Sequence, residues 1–151
     1  MRNPPVKAAL VAVLLLSFIN VANAVETVLN CPVEVPENSI QIQTPSPEWH
    51  GFADLPLRLH GANFMSGEPS TRTHLKPDSS NETKGKSIST WKFEGDYPEG
   101  KWLTCFYANG FISLSKKIDD HFSECSLIYR KDAKNKKGQW VPGGIEKISC
   151  K

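Results

Sequence analysis

The stretch Trp102-Leu103-Thr104-Cys105-Phe106-Tyr107-Ala108-Asn109-Gly110-Phe111-Ile112-Ser113-Leu114-Ser115 decides the fold. Both halves are rich in aromatic and β-branched residues. Asn-Gly between them is the pair that a two-residue hairpin turn favours, because both central positions need positive φ. Centring the turn on Asn109-Gly110 sets Cys105 opposite Leu114 and Tyr107 opposite Ile112. One face then carries Leu103, Cys105, Tyr107, Ile112 and Leu114, the apolar side of an antiparallel ribbon.

A second hairpin follows from Cys125-Ser126-Leu127-Ile128-Tyr129 and Ile145-Glu146-Lys147-Ile148-Ser149-Cys150, which flank a polar stretch over 132–138. With its register centred between Lys137 and Gly138, Cys125 faces Cys150, Leu127 faces Ile148 and Ser126 faces Ser149. Apolar residues meet apolar ones and polar meet polar, as a correct register requires. The pairing expected from this register is Cys125 with Cys150, which leaves Cys31 with Cys105. The Trp140-Val141-Pro142-Gly143-Gly144 piece is expected to bulge and is where the register can slip.

Working outward, Ser39-Ile40-Gln41-Ile42-Gln43 alternates as a half-buried strand does, and Pro45-Ser46-Pro47 stops it. Ser46 and Pro47 suit the start of a short helical turn carrying Trp49 and Phe52. Leu55, Leu57 and Leu59 alternate again, in a strand expected to begin at a sheet edge because Pro56 has no N–H to donate, with a bulge marked by Gly61. Residues 66–86 hold almost no apolar side chain except Leu75 and read as one long loop, functional or mobile. Residues 88–94, around Trp91 and Phe93, return to strand, and Gly95-Asp96-Tyr97-Pro98-Glu99-Gly100 is a turn-rich link. The fold expected is mainly β: a single antiparallel β-sandwich or curled half-barrel of six to eight strands, disulfide-stapled, with little helix.

At the N-terminus, Arg2 and Lys7 precede an apolar run over 8–19 and the small-residue pattern Ala22-Asn23-Ala24. This predicts a signal peptide over 1–24, cleaved after Ala24 on the Sec route, and one β-rich domain over 25–151. The apolar run falls short of the roughly twenty residues a spanning helix needs, so no membrane insertion is expected. Four cysteines in an exported chain of this size read as two disulfides, hence an oxidising compartment, the periplasm. The net charge of +2 comes from Arg2 and Lys7, so the expected mature chain is neutral. Its charge is divided along the chain: 6 basic and 11 acidic residues lie in 25–100, but 10 basic and 5 acidic in 101–151. A neutral exported chain without basic and aromatic interleaving does not fit a nucleic-acid binder.

Motifs of chemistry are missing. The chain holds no G-x-S-x-G, H-E-x-x-H, C-x-x-C or phosphate-binding glycine loop, its histidines are scattered, and every cysteine has a structural use. No enzyme activity, cofactor or metal is expected. The run from Arg130 to Lys137 carries five positive charges at a hairpin tip and reads either as a solubilising loop or as a surface for an anionic partner.

Taken in order, the Cys31-Pro32 start, the Trp49 turn, Leu75-Lys76-Pro77, Trp91-Lys92-Phe93, the Trp102 to Tyr107 strand, Cys125 and Cys150 resemble a family of small periplasmic proteins of Gram-negative bacteria found in type VI secretion regions. The resemblance implies an immunity protein, whose partner is a toxin injected by sister cells. The function expected is inhibition of a peptidoglycan-targeting effector, L,D-transpeptidase-like or an amidase, by a rigid scaffold that presents loops at little ordering cost. The loop residues Glu68, Arg72, His74 and Asp78, or the Asp96-Tyr97 turn, would insert into it. Two alternatives are a periplasmic lysozyme inhibitor, which the neutral charge disfavours against a basic enzyme, and an envelope glycan or small-ligand module stacking sugars on Trp49, Trp91 or Trp102.

Overall fold

The computed structural model describes residues 25–151, and the expected signal peptide lies outside them. In chain order the strands are β1 (Thr27–Leu29), β2 (Glu34–Val35), β3 (Leu57–Ser66), β4 (Ser79–Thr83), β5 (Lys86–Lys92), β6 (Lys101–Tyr107), β7 (Ile112–Lys117), β8 (Glu124–Arg130), β9 (Ala133–Lys134), β10 (Trp140–Val141) and β11 (Gly144–Cys150). They form a five-stranded sheet, β1-β11-β8-β5-β4, a four-stranded sheet, β2-β3-β6-β7, and a small β9-β10 ribbon, antiparallel throughout. The two larger sheets stay open and share one core, so the architecture is the sandwich.

The core is built from alternate residues of both sheets. Phe64 on β3 meets Trp91 of β5 edge-on at 5.1 Å between ring centres, and Phe93 at 5.6 Å. Leu103, Cys105 and Tyr107 of β6 and Leu127, Ile148 and both cysteines of the β8–β11 pair complete it. Each large apolar side chain fully buried there contributes about 1.5–3 kcal/mol. Disulfides Cys31–Cys105 and Cys125–Cys150 form as the register required. The first ties the segment after β1 to the opposite sheet, and the second joins neighbouring strands.

Both hairpin registers are as read. Cys105 faces Leu114, Tyr107 faces Ile112, Cys125 faces Cys150 and Leu127 faces Ile148. The first turn is longer than the two residues expected: the ladder stops at Tyr107 and Ile112, Ala108–Gly110 form a 3-10 turn in which Ala108, Asn109 and Gly110 have φ of 48°, 56° and 89°, and Phe111 N donates to Ala108 O at 3.2 Å. The second hairpin bulges between Ile145 and Lys147, closer to the core than expected, and beyond that point its register is offset by one. The first hairpin differs in a further respect: Ile112 and Leu114, on the inward face, are 42% and 41% exposed. Strand β7 is the sheet edge, and the facing sheet does not cover it.

Four expectations are corrected. Residues 40–43 are not a strand: Glu37–Ser39 form a 3-10 turn, no ladder partner lies alongside, and Ile42 turns back onto Gly51. The Ser46-Pro47 helical turn is a single turn closed by Trp49 N donating to Ser46 O at 3.2 Å, with Trp49 and Phe52 exposed. The 66–86 loop contains the exposed edge strand β4, held to β5 by main-chain bonds and a Ser80–Ser89 hydroxyl pair at 3.1 Å. The strand at Leu57 lies between β2 and β6 rather than at an edge, and it carries its bulge between Leu59 and Gly61 as expected.

Candidate functional site

The two loops singled out by sequence meet at one end of the sandwich. Gly67 N donates to Gly100 O at 3.0 Å, joining the start of the 67–78 loop to the end of the 95–100 turn. Glycine suits this junction because Gly100 has φ of 82°, a conformation that L side chains rarely adopt. The loop then turns through Pro69–Thr71 and returns along β3, where Met65 and His74 form an isolated antiparallel bridge and Leu75 N donates to Phe64 O at 2.9 Å. Trp91 Nε1 donates to Leu75 O at 3.1 Å and anchors that return to the core.

Two depressions flank this end. A groove of about 880 Å³ crosses the outer face of the four-stranded sheet, walled by Arg72 and His74 on one side and Phe111 on the other. Its floor includes Met65, Thr104 and Phe106. Thr104 Oγ1 lies 2.8 Å from Met65 Sδ and 2.9 Å from Ser115 Oγ, so the floor's buried polar atoms are satisfied within it. The His74 ring lies 5.6 Å from Phe106.

A smaller cleft of about 240 Å³ is lined by Phe93, Asp96, Tyr97, Lys101 and Phe122. Lys101 is only 4% exposed, an unusual place for an ammonium without a carboxylate partner. Its Nζ donates to Asp120 O at 2.8 Å and Phe122 O at 2.5 Å, and it lies 5.0 Å from the Phe93 ring centre and 5.6 Å from that of Tyr97. Burial pulls the Lys101 amine below the ordinary lysine value, against Asp120 and Asp119, which push it up. Burial raises the Tyr97 phenol, with Asp78 and Glu94 adding to the effect.

The six expected contact residues therefore divide by duty. Asp78 accepts from Lys92 N at 2.7 Å, and Tyr97 packs edge-on against Phe93 at 5.9 Å, so these two hold the loops. Glu68, Arg72, His74 and Asp96 are exposed, and among the described residues none of them forms an ion pair. Sequence reasoning missed Lys101 and the exposed trio Phe111, Ile112 and Leu114. The signal for the trio was present, since an apolar strand at the end of a hairpin needs a cover that the pattern does not supply. Trp91 is in the core and cannot stack a sugar, whereas Trp49 is exposed and Trp102 half-buried. The basic tip is distant from the site: Arg130 pairs across from Lys86, at the opposite end of β5 from Lys92.

Among the described residues no three His, Cys, Asp or Glu side chains are gathered as metal ligands, and no helix is long and apolar enough to cross a membrane. The two disulfides fit an oxidising compartment. No curated protein and no solved structure matches the chain. The model of the type VI secretion system Tli immunity protein family matches residues 54–151, a span that holds both meeting loops, the groove and the cleft. By that match the chain belongs to the Tli immunity proteins of the type VI secretion system.

Proposed function

We propose that the chain is exported to the periplasm and protects its cell by binding a cognate type VI effector and covering that enzyme's active site with the loop end of the sandwich. Glu68, Arg72, His74 and Asp96 make the contacts, while Asp78 and Tyr97 hold the two loops in place. The observation that carries this reading is the Gly67–Gly100 backbone bond, which joins loops separated by a strand pair into one surface on a rigid scaffold. Pre-ordered loops lose little entropy on binding, as tight inhibition requires.

The effector class expected from the resemblance is a peptidoglycan enzyme, L,D-transpeptidase-like or an amidase. The test directs the cognate effector to the periplasm of a host bacterium with and without this chain. Rescue by the wild type, lost when Glu68, Arg72, His74 and Asp96 are all changed to alanine, is the expected result. Rescue that survives the quadruple variant places the contact elsewhere. Muropeptide analysis of poisoned cells reads the substrate: altered cross-links or stem peptides support a wall enzyme, and intact sacculi with hydrolysed phospholipid overturn that part.

A further inference from the structure

Strand β7 has a partner on one side only. The phase of its ladder is set just beyond its end, where Ile118 N donates to Lys101 O at 2.9 Å. The same register puts Lys116 opposite Leu103, Leu114 opposite Cys105 and Ile112 opposite Tyr107. In antiparallel pairing, residues alternate between turning both main-chain groups toward the neighbour and turning both away. Ile112, Leu114 and Lys116 therefore face β6, and Ser113, Ser115 and Lys117 turn N–H and C=O outward. Among the described residues these outward groups have no main-chain partner.

The side chains offer a matching surface. Ile112 and Leu114 form an apolar shelf on the inner side, left open although Tyr107 and Cys105 opposite them are buried. On the outer side Ser113 and Ser115 border the groove, with Phe111 at its rim 88% exposed. Natural edge strands are usually blunted by charge, proline or a bulge, but from Ile112 to Ser115 this one has none of these. Cations gather nearby: Lys116 and Arg72 form no ion pair among the described residues, and Lys117 reaches Asp120 only at 3.9 Å. An acidic segment would be drawn to them and held along the strand, since the acids Glu68, Asp96 and Glu99 on the joined loops repel it from beyond the strand's end. The strand also ends at the Gly67–Gly100 junction, since Lys117 packs on Gly100, so this edge is continuous with the loop surface.

We propose that β7 is a docking edge on which an extended, carboxylate-bearing segment of the cognate effector adds to the sheet as a fifth strand. Its main chain bonds Ser113, Ser115 and Lys117, its alternate side chains rest on Ile112 and Leu114, and its acids meet Lys116, Lys117 and Arg72. The inference rests on the immunity reading above and names the partner's mode of attachment.

The test is residue-resolved amide hydrogen exchange of the mature chain, free and saturated with purified effector. The amides of Ser113, Ser115 and Lys117 are expected to slow in the complex, while those of Ile112, Leu114 and Lys116, already bonded to β6, change little. A second measurement uses Ser113→Pro, which removes only an outward N–H and should leave the melting curve intact while weakening effector binding by about tenfold, the effect of losing roughly one main-chain bond. If that variant fails to fold, Leu114→Lys reads the shelf instead, with the same loss expected. A complex that forms while the three amides exchange as in the free chain overturns the docking edge and leaves the immunity reading standing. Absence of any complex overturns both. Slowing in the free chain that grows with its concentration assigns the edge to a second copy and also overturns the proposal.

Discussion

Lys101 and Tyr129 illustrate how single side chains hold this sandwich together. Just past the bulge between Leu59 and Gly61, Ala62 stands opposite Cys105, and Tyr129, reaching across from the other sheet, accepts from Ala62 N at 2.9 Å. Burial raises the Tyr129 phenol above its ordinary value. Tyr129→Phe leaves a part-buried N–H unpaired and is expected to cost about 1–2 kcal/mol in denaturant unfolding. Lys101→Met removes the donor to two carbonyls and is expected to cost a similar amount, about 1–2 kcal/mol, because relief of the buried charge offsets part of the loss. The two variants differ in pH dependence. Since burial lowers the folded-state pKa of Lys101, both states are protonated well below it and the cost of burying the charge is present in full. As pH rises through that lowered value toward the ordinary lysine pKa, the unfolded state holds more protons, so stability rises. A wild-type rise in that window that is absent from Lys101→Met is the expected difference; parallel curves would place the amine in an ordinary environment. Neither role was legible in sequence, because a lysine and a tyrosine in strands read as surface and core until the opposite sheet is in place.

At the scale of elements, the hairpins were legible and the edges were not. Asn109-Gly110 and the alternation around Cys125 and Cys150 specify registers locally, because a one-residue slip would turn every apolar side chain outward. Strand β4 was invisible for the opposite reason: it buries nothing, and its ladder uses main-chain groups that every residue carries. The disulfides convert register into stability. By loop closure, the 74-residue separation of Cys31 and Cys105 is worth about 4.5 kcal/mol and the 25-residue separation of Cys125 and Cys150 about 3.5 kcal/mol. Replacing the first pair by alanine should therefore lower the urea midpoint more than replacing the second, and the reverse order would show that local strand geometry outweighs chain entropy. Gly100→Ala puts a side chain at φ of 82° against Lys117 and should cost about 1–2 kcal/mol while loosening the two joined loops. A larger loss of effector binding than of stability would identify the junction as part of the contact surface.

The whole molecule is electrically polar. Glu68, Asp78, Glu94, Asp96 and Glu99 lie on the two loops at one end, whereas Arg130, Lys131, Lys134, Lys136 and Lys137 lie toward the β9–β10 tip at the other. Among the described residues the five acids form no ion pair. Such a dipole orients an approaching partner, so the association rate with the effector is expected to fall about tenfold between low and near-molar salt, with a smaller change in dissociation. A rate indifferent to salt would mean that the charged ends do not steer the encounter. Neighbouring residues alone specify the β class, two hairpin registers and, through one of them, the cysteine pairing. These follow from period-two patterning and turn chemistry, which act within a few residues. Packing of one sheet on the other places the two loops at one end, cages Lys101 between aromatic rings and carbonyls, and leaves β7 with an open edge. Each of those depends on which strands become neighbours across the sandwich, and that is settled by packing between residues far apart in the chain.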